Sequence, residues 1–125
     1  MSVRVVDASA IAALLFGEPE APIVAAQLRN GKLVAPPLLA YEVASVCLKK
    51  LRRYPERRDA LLAAHQLLGR MPIVETSVDL PEAVAIAEHV GLTVYDASYI
   101  WLARKLRSEL ITLDQQLAER ASRMI

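Results

Sequence analysis

Short β-branched runs alternate with longer stretches of helical periodicity along the chain. Val3 to Val6, bounded by Asp7, predicts a buried strand, and Ala8 to Phe16 reads as an apolar helix stopped at Gly17-Glu18-Pro19. A second helix is expected from Pro19 to Arg29, closed by Asn30-Gly31, and a second strand from Lys32 to Ala35 before Pro36-Pro37. Leu38 to Arg53 follows as a long helix. Tyr54-Pro55 breaks it, Glu56 to Gly69 resumes a helical pattern, and Met71 to Glu75 predicts a third strand. Asp79-Leu80-Pro81 opens another helix, with Asp79 as its cap. After Gly91, Leu92 to Tyr95 leads into a helix from Asp96 to about Arg107. Leu110 to Leu113 is the last expected strand, and Asp114 starts the last helix. Strands separated by helices call for a mainly parallel sheet covered on both faces, an α/β fold with no internal repeat.

With 125 residues, 54% of them hydrophobic, the chain is expected to form one domain over residues 1–125 around one core. The uncharged run Ala8 to Gly17 falls far short of the roughly 20 apolar residues a membrane-spanning helix needs. The N-terminus opens on a strand pattern without a charged and apolar leader, so no membrane association and a cytoplasmic location are expected. Cys47, the one cysteine, excludes a disulfide framework and reads as a buried thiol. Net charge is only +1, yet Lys49, Lys50, Arg52, Arg53, Arg57 and Arg58 crowd against the single acid Glu56. That cluster is either a footprint for phosphates or a solvated helix end.

Four acids carry most of the chemistry. Asp7, Asp96 and Asp114 each stand where an apolar stretch hands over to a helical pattern, and in an open parallel sheet such handovers share the ligand-binding edge. Aspartate is also a favoured helix cap, so each position taken alone reads more readily as a cap than as a ligand. Glu42 is different, because Leu39, Glu42, Val43 and Val46 share the spacing of a core-facing stripe. It is either a ligand or an acid at the edge of the stripe, paired with a basic residue. Carboxylates gathered in one cleft repel, and a divalent cation such as magnesium or manganese relieves that repulsion. His65 and His89 have no partner spacing for a zinc site and read as ordinary helix residues.

Val6-Asp-Ala-Ser9, Tyr41-Glu42, Tyr95-Asp-Ala-Ser-Tyr99 and Thr112-Leu-Asp-Gln-Gln-Leu117 occur in an order that resembles the PIN-domain ribonucleases and, more narrowly, the VapC toxins of bacterial and archaeal toxin–antitoxin pairs. The resemblance implies a three-layer α/β/α sandwich and magnesium- or manganese-dependent cleavage of RNA, with Asp7, Glu42, Asp96 and Asp114 as the acidic positions. Ser9 and Thr112 match the small hydroxyl residues that support such sites. A homodimer is implied too, as is a cognate antitoxin whose C-terminal segment covers the groove. Many relatives continue past the last helix into another short strand, where this sequence has Met124-Ile125.

On this reading Asp7, Glu42 and Asp96 position one or two cations, Asp114 completes the shell or orients the water, and Lys49, Lys50, Arg52 and Arg53 hold the RNA backbone. Two rivals stand beside it. One is a catalytically silent binding module of the same fold. The other is a phosphotransfer receiver or phosphatase with Asp7 as nucleophile, which wants a lysine where this sequence has Asp114.

Overall fold

Four short strands, β1 (Ser2–Val6), β2 (Gly31–Ala35), β3 (Ile73–Glu75) and β4 (Glu109–Ile111), lie side by side in the order β3-β2-β1-β4, and every pairing is parallel. They come from a computed structural model that describes residues 2–124; Met1 and Ile125 lie outside it, and with Ile125 the expectation about a further strand. Register aligns Val5 with Val34 and with Leu110, and Val6 with Ile111. Because strand side chains alternate, Val5, Val34 and Leu110 point to one face and Val6, Leu33, Ala35 and Ile111 to the other.

Helices cover both faces. Against Val6, Leu33 and Ile111 pack α1 (Ala8–Phe16), α2 (Ala21–Leu28) and α3 (Leu38–Arg53) through Ile11, Ala13, Val24, Leu39 and Val43, with α4 (Arg58–Gln66) behind α3. Over the opposite face Tyr99, Leu102 and Ala103 of α6 (Val94–Leu106) cover Val5 and Val34. On the outer side of α6, α5 (Leu80–Val90) and α7 (Gln115–Ser122) close a third cluster through Ile86, Val90, Ile100, Leu117 and Ala121. The result is the expected three-layer α/β/α sandwich. Among the described residues no single helix is long and apolar enough to cross a membrane.

Local chemistry explains where elements stop and where they depart from the sequence pattern. Gly17 ends α1 in a left-handed turn, φ 65°, and its N–H satisfies the carbonyl of Ala13. The helix expected from Glu56 to Gly69 is shorter: Pro55–Arg57 and Leu67–Arg70 are 3-10 turns around α4, and no side chain caps the start of that helix. The last strand ends at Ile111, two residues before the expected Leu113, because Thr112 turns the chain into the cap of α7. In α3 the fully buried positions are Leu39, Val43 and Cys47, so Glu42 and Val46 lie at the edge of the stripe. Cys47 is the expected buried thiol, its Sγ 3.9 Å from the carbonyl oxygen of Leu61.

Candidate active site

Asp7 follows β1 directly and caps α1, its Oδ1 accepting from the backbone N–H of Ala10 at 3.0 Å. The cap is buried, with 5% of the residue exposed, and two hydroxyls complete it. Ser9 Oγ donates to Oδ1 at 2.7 Å and Thr112 Oγ1 donates to Oδ2. Each hydroxyl also accepts a backbone N–H, Ser9 from Leu113 at 2.9 Å and Thr112 from Asp114 at 3.0 Å. The end of β1 is thereby laced to the turn after β4, its neighbour in the sheet.

Asp114 caps α7 by accepting from Leu117 N at 3.0 Å. Asp7 and Asp114 are therefore both helix caps, and both stand at the C-terminal edge of the sheet after the neighbouring strands β1 and β4. Asp79 is the expected cap of α5, accepting from Glu82 N at 3.1 Å.

Asp96 corrects the sequence reading. No strand precedes it; α6 begins at Val94, and Thr93 is its cap, accepting from Asp96 N at 3.1 Å. Thr93-Val-Tyr-Asp96 is a capping-box spacing, a signal in the sequence that locates this helix start. Asp96 sits within the first turn, where the helix N-terminus favours negative charge. It reaches the other acids because α6 crosses over β1, not because a strand ends there.

Glu42 lies half-buried on α3, and the partner expected to be basic is instead the hydroxyl of Tyr99, which donates to Glu42 Oε1 at 2.6 Å. Tyr99, 1% exposed, stands three residues after Asp96 on α6. Its part in the site had one sequence signal, a tyrosine near one turn beyond an acid on an otherwise apolar helix face.

The acids feel one another. Burial raises the Asp7 carboxyl above its usual range, against hydrogen bonds from Thr112, Ser9 and Ala10 that pull it down, and the charge of Asp114 adds to the rise. Glu42 is raised by burial and by Asp96 and Asp7, against the Tyr99 hydrogen bond. Asp96 is raised by burial and by Asp114 and Asp7. Burial and the neighbouring Glu42 push the Tyr99 hydroxyl far above its ordinary value, so it stays a donor. Among the described residues none of the four acids has a lysine or arginine within ion-pair distance.

The same residues do not form a tight cage. Among the described residues no three acidic, histidine or cysteine side chains lie close enough to enclose an ion directly. The donor set nonetheless suits magnesium, which keeps several of its waters and contacts only one or two carboxylates, so that its waters would bridge the gaps. An all-oxygen set of anionic, mutually repelling groups without a cationic side chain fits that ion and gives zinc no soft ligand.

The basic cluster divides. Lys49 lines the groove that holds Glu42. Lys50 pairs with Glu18 and lies over the Phe16 ring, whereas Arg53 and Arg57 flank the ring of Tyr54. Arg52 is exposed in the last turn of α3. The structure brings Lys49 alone of this cluster to the lining of that groove.

The PIN domain model matches residues 4–122. Ribonuclease VapC3 of Pyrobaculum aerophilum is 38% identical over 121 residues, spanning 93% of this chain and 92% of that protein. A crystal structure of a Pyrobaculum aerophilum protein superposes with a TM-score of 0.69 at 27% identity, over 95% of this chain and 79% of the other.

Proposed function

The chain belongs to the PIN-domain family and its VapC-type ribonucleases, and from that premise we propose a magnesium- or manganese-dependent endoribonuclease, the toxin of a toxin–antitoxin pair, with Asp7, Glu42, Asp96 and Asp114 as its site. What supports this assignment is the meeting of four carboxylates, three of them raised by burial and by one another's charge, with no cationic side chain beside them among the described residues. A fold without a charge to offset would have little reason to gather them.

Asp7, Glu42 and Asp96 would hold the cation, one or two of them directly and the rest through its waters, and Asp114 would complete the shell or orient the attacking water. When bound, such a cation makes water more acidic and neutralises charge growing on the phosphate. Ser9 and Thr112 fix both oxygens of Asp7, and Tyr99 fixes Oε1 of Glu42, so two carboxylates meet the substrate without reorganising. Lys49 offers positive charge to a backbone phosphate next to the scissile one.

As partners we propose RNA, a cognate antitoxin and a second copy of the chain, with residues 1–125 acting as one cytoplasmic unit. The deciding experiment incubates an end-labelled RNA with the protein in magnesium, in manganese and in chelator. Cleavage in both metals and none in chelator is the expected result. An intact strand in all three, with no cation binding by calorimetry, returns the protein to a silent binding module. A small adjoining reading frame for a DNA-binding antitoxin favours the toxin over a nuclease of general RNA processing.

A further inference from the structure

The helix α6 carries charge at both ends. Asp96 stands in its first turn with the other acids, Arg104 and Lys105 lie in its last turn, and Arg107 follows as the cap. Between Asp96 and Arg104 the helix bears no charged side chain. The chain then enters β4 at Glu109, so the three cations stand at the edge of the sheet opposite the acid site.

Arg104, Lys105 and Arg107 line one open cleft of about 580 Å³ between α5 and α6, together with Ala85, Ile86 and Trp101. A volume of roughly 300–1,000 Å³ is usual for a small-molecule site. All three cations are exposed, and none forms an ion pair among the described residues. Glu82 is the acid of the cleft, and its Oε2 is engaged by the indole N–H of Trp101 at 2.8 Å. That bond holds the chain's one tryptophan, half-buried, in the lining.

Cations in the last turn of a helix offset its dipole, which accounts for Arg104 and Lys105. It does not account for Arg107. The backbone there is left-handed, φ 51°, in a turn closed by Arg107 N on the Arg104 carbonyl at 3.2 Å and by Ser108 N on the Ala103 carbonyl at 2.9 Å. Helices that end this way usually place glycine at that position, because a side chain strains it. Gly17 and Gly91 fill it at the ends of α1 and α5. An arginine in the same place on α6, with its charge on a cleft that two other cations share, points to a task outside the fold.

Three cations around one hollow suit phosphate, and the planar fork of arginine matches phosphate oxygens. Trp101, Ile86 and Ala85 add apolar surface that inorganic phosphate would leave uncovered and an organic group would cover. We propose that the cleft between α5 and α6 binds a free nucleotide through its phosphates, at a second site apart from the acids. The proposal does not depend on the ribonuclease reading. A strand running from the acids to this cleft along α6 would cross roughly 12 Å of helix without a cation, so a compact ligand fits the charge pattern better than a polymer.

The probe is ADP, titrated into the protein in chelator so that no metal recruits phosphate to the acids. Calorimetry gives the affinity, and the emission of Trp101 reports the place. Adenosine, inorganic phosphate, an oligoglutamate peptide and a short single-stranded RNA are titrated for comparison. Expected is saturable binding of ADP with a change in Trp101 emission, about 10-fold or more tighter than either adenosine or phosphate. Arg104→Ala and Arg107→Gly should each weaken ADP by about 10-fold, the loss of one charge-assisted contact. Arg107→Gly should do so while melting no lower than the wild type, since glycine relieves the turn. If Arg107→Gly binds ADP like the wild type, the arginine serves the turn alone and the proposal fails. Heat from ADP without a response of Trp101 also overturns it, as does ADP held no better than adenosine or phosphate. Oligoglutamate held as tightly as ADP overturns it in favour of a general cationic field, and RNA that changes Trp101 emission where ADP does not overturns it in favour of a polymer contact.

Discussion

Replacing Asp7 by Asn removes one negative charge from the most buried acid of the site while keeping its shape. The amide oxygen in the place of Oδ1 still accepts from Ser9 Oγ and Ala10 N. At the other position an NH2 group meets Thr112 Oγ1, which already accepts from Asp114 N and must turn its own proton toward Ser9 Oγ, 3.3 Å away. Exchanging charge-assisted for neutral hydrogen bonds costs roughly 1–2 kcal/mol. Against that, two carboxylates about 6 Å apart at an effective dielectric near 20 repel by roughly 3 kcal/mol, and the desolvation of Asp7 itself is relieved. Asp7→Asn is therefore expected to be as stable as the wild type in chelator at pH 7, or up to about 2 kcal/mol more stable, a shift of up to about 8 °C for a chain of this size.

Magnesium reverses the order: at about 100 times its dissociation constant a bound ion stabilises the wild type by about 2.7 kcal/mol and the variant by much less. The pH dependence gives a second check. Asp7, with an ordinary value near 3.8, is raised in the folded state, as are Glu42 and Asp96. Between the unfolded and folded values the folded protein binds more protons, so in chelator stability falls as pH rises through that interval and then levels off. Asp7→Asn flattens this slope. Thermal unfolding followed by circular dichroism, with chelator and with magnesium at several pH values, reads all three effects alongside RNA cleavage, which the variant should lose. A variant more than about 1 kcal/mol less stable than wild type in chelator, or one that magnesium stabilises as strongly, would refute the reasoning.

Tyr99→Phe removes the hydroxyl that donates to Glu42 Oε1 and should raise the magnesium concentration needed for half-maximal cleavage by about 10- to 100-fold, with the fold intact by circular dichroism. An unchanged magnesium requirement would mean that Glu42 is not held by Tyr99 for this purpose. Lys49→Ala should weaken binding of single-stranded RNA and lower the salt slope of log K by about 0.7, whereas Lys50→Ala, whose charge is committed to Glu18, should leave that slope alone. Equal losses in both would return the whole cluster to a general basic field.

The succession of strands and helices along the chain was legible because most apolar runs and breakers agreed with the fold that formed. Asp7, Glu42 and Asp114 were legible for the same reason: two acids end strands or their turns, and one interrupts an apolar stripe. Asp96 was found through its motif, but the helix expected to start there begins two residues earlier, so Val94 and Tyr95 are already in the first turn of α6. The partner of Glu42 was out of reach because its contact with Tyr99 spans 57 residues and no local pattern encodes it. The division of the basic cluster was equally hidden, since Lys49 and Lys50 are neighbours in sequence but lie on different sides of α3. Phe16, at the end of α1, and Glu18, just after it, show where Lys50 goes.

The lacing of Asp7 to Thr112, and of Ser9 to Leu113, spans more than a hundred residues. During synthesis, at about 5–20 residues per second, the first aspartate therefore leaves the ribosome several seconds before the threonine that will fasten it exists. Until the edge strand β4 slots in beside β1, the carboxylate has no fixed direction and the other acids have no common focus. If Asp7 serves the proposed site, an emerging chain would pass the RNA of the machine that makes it without a working blade, and would become sharp only when these two distant segments have met.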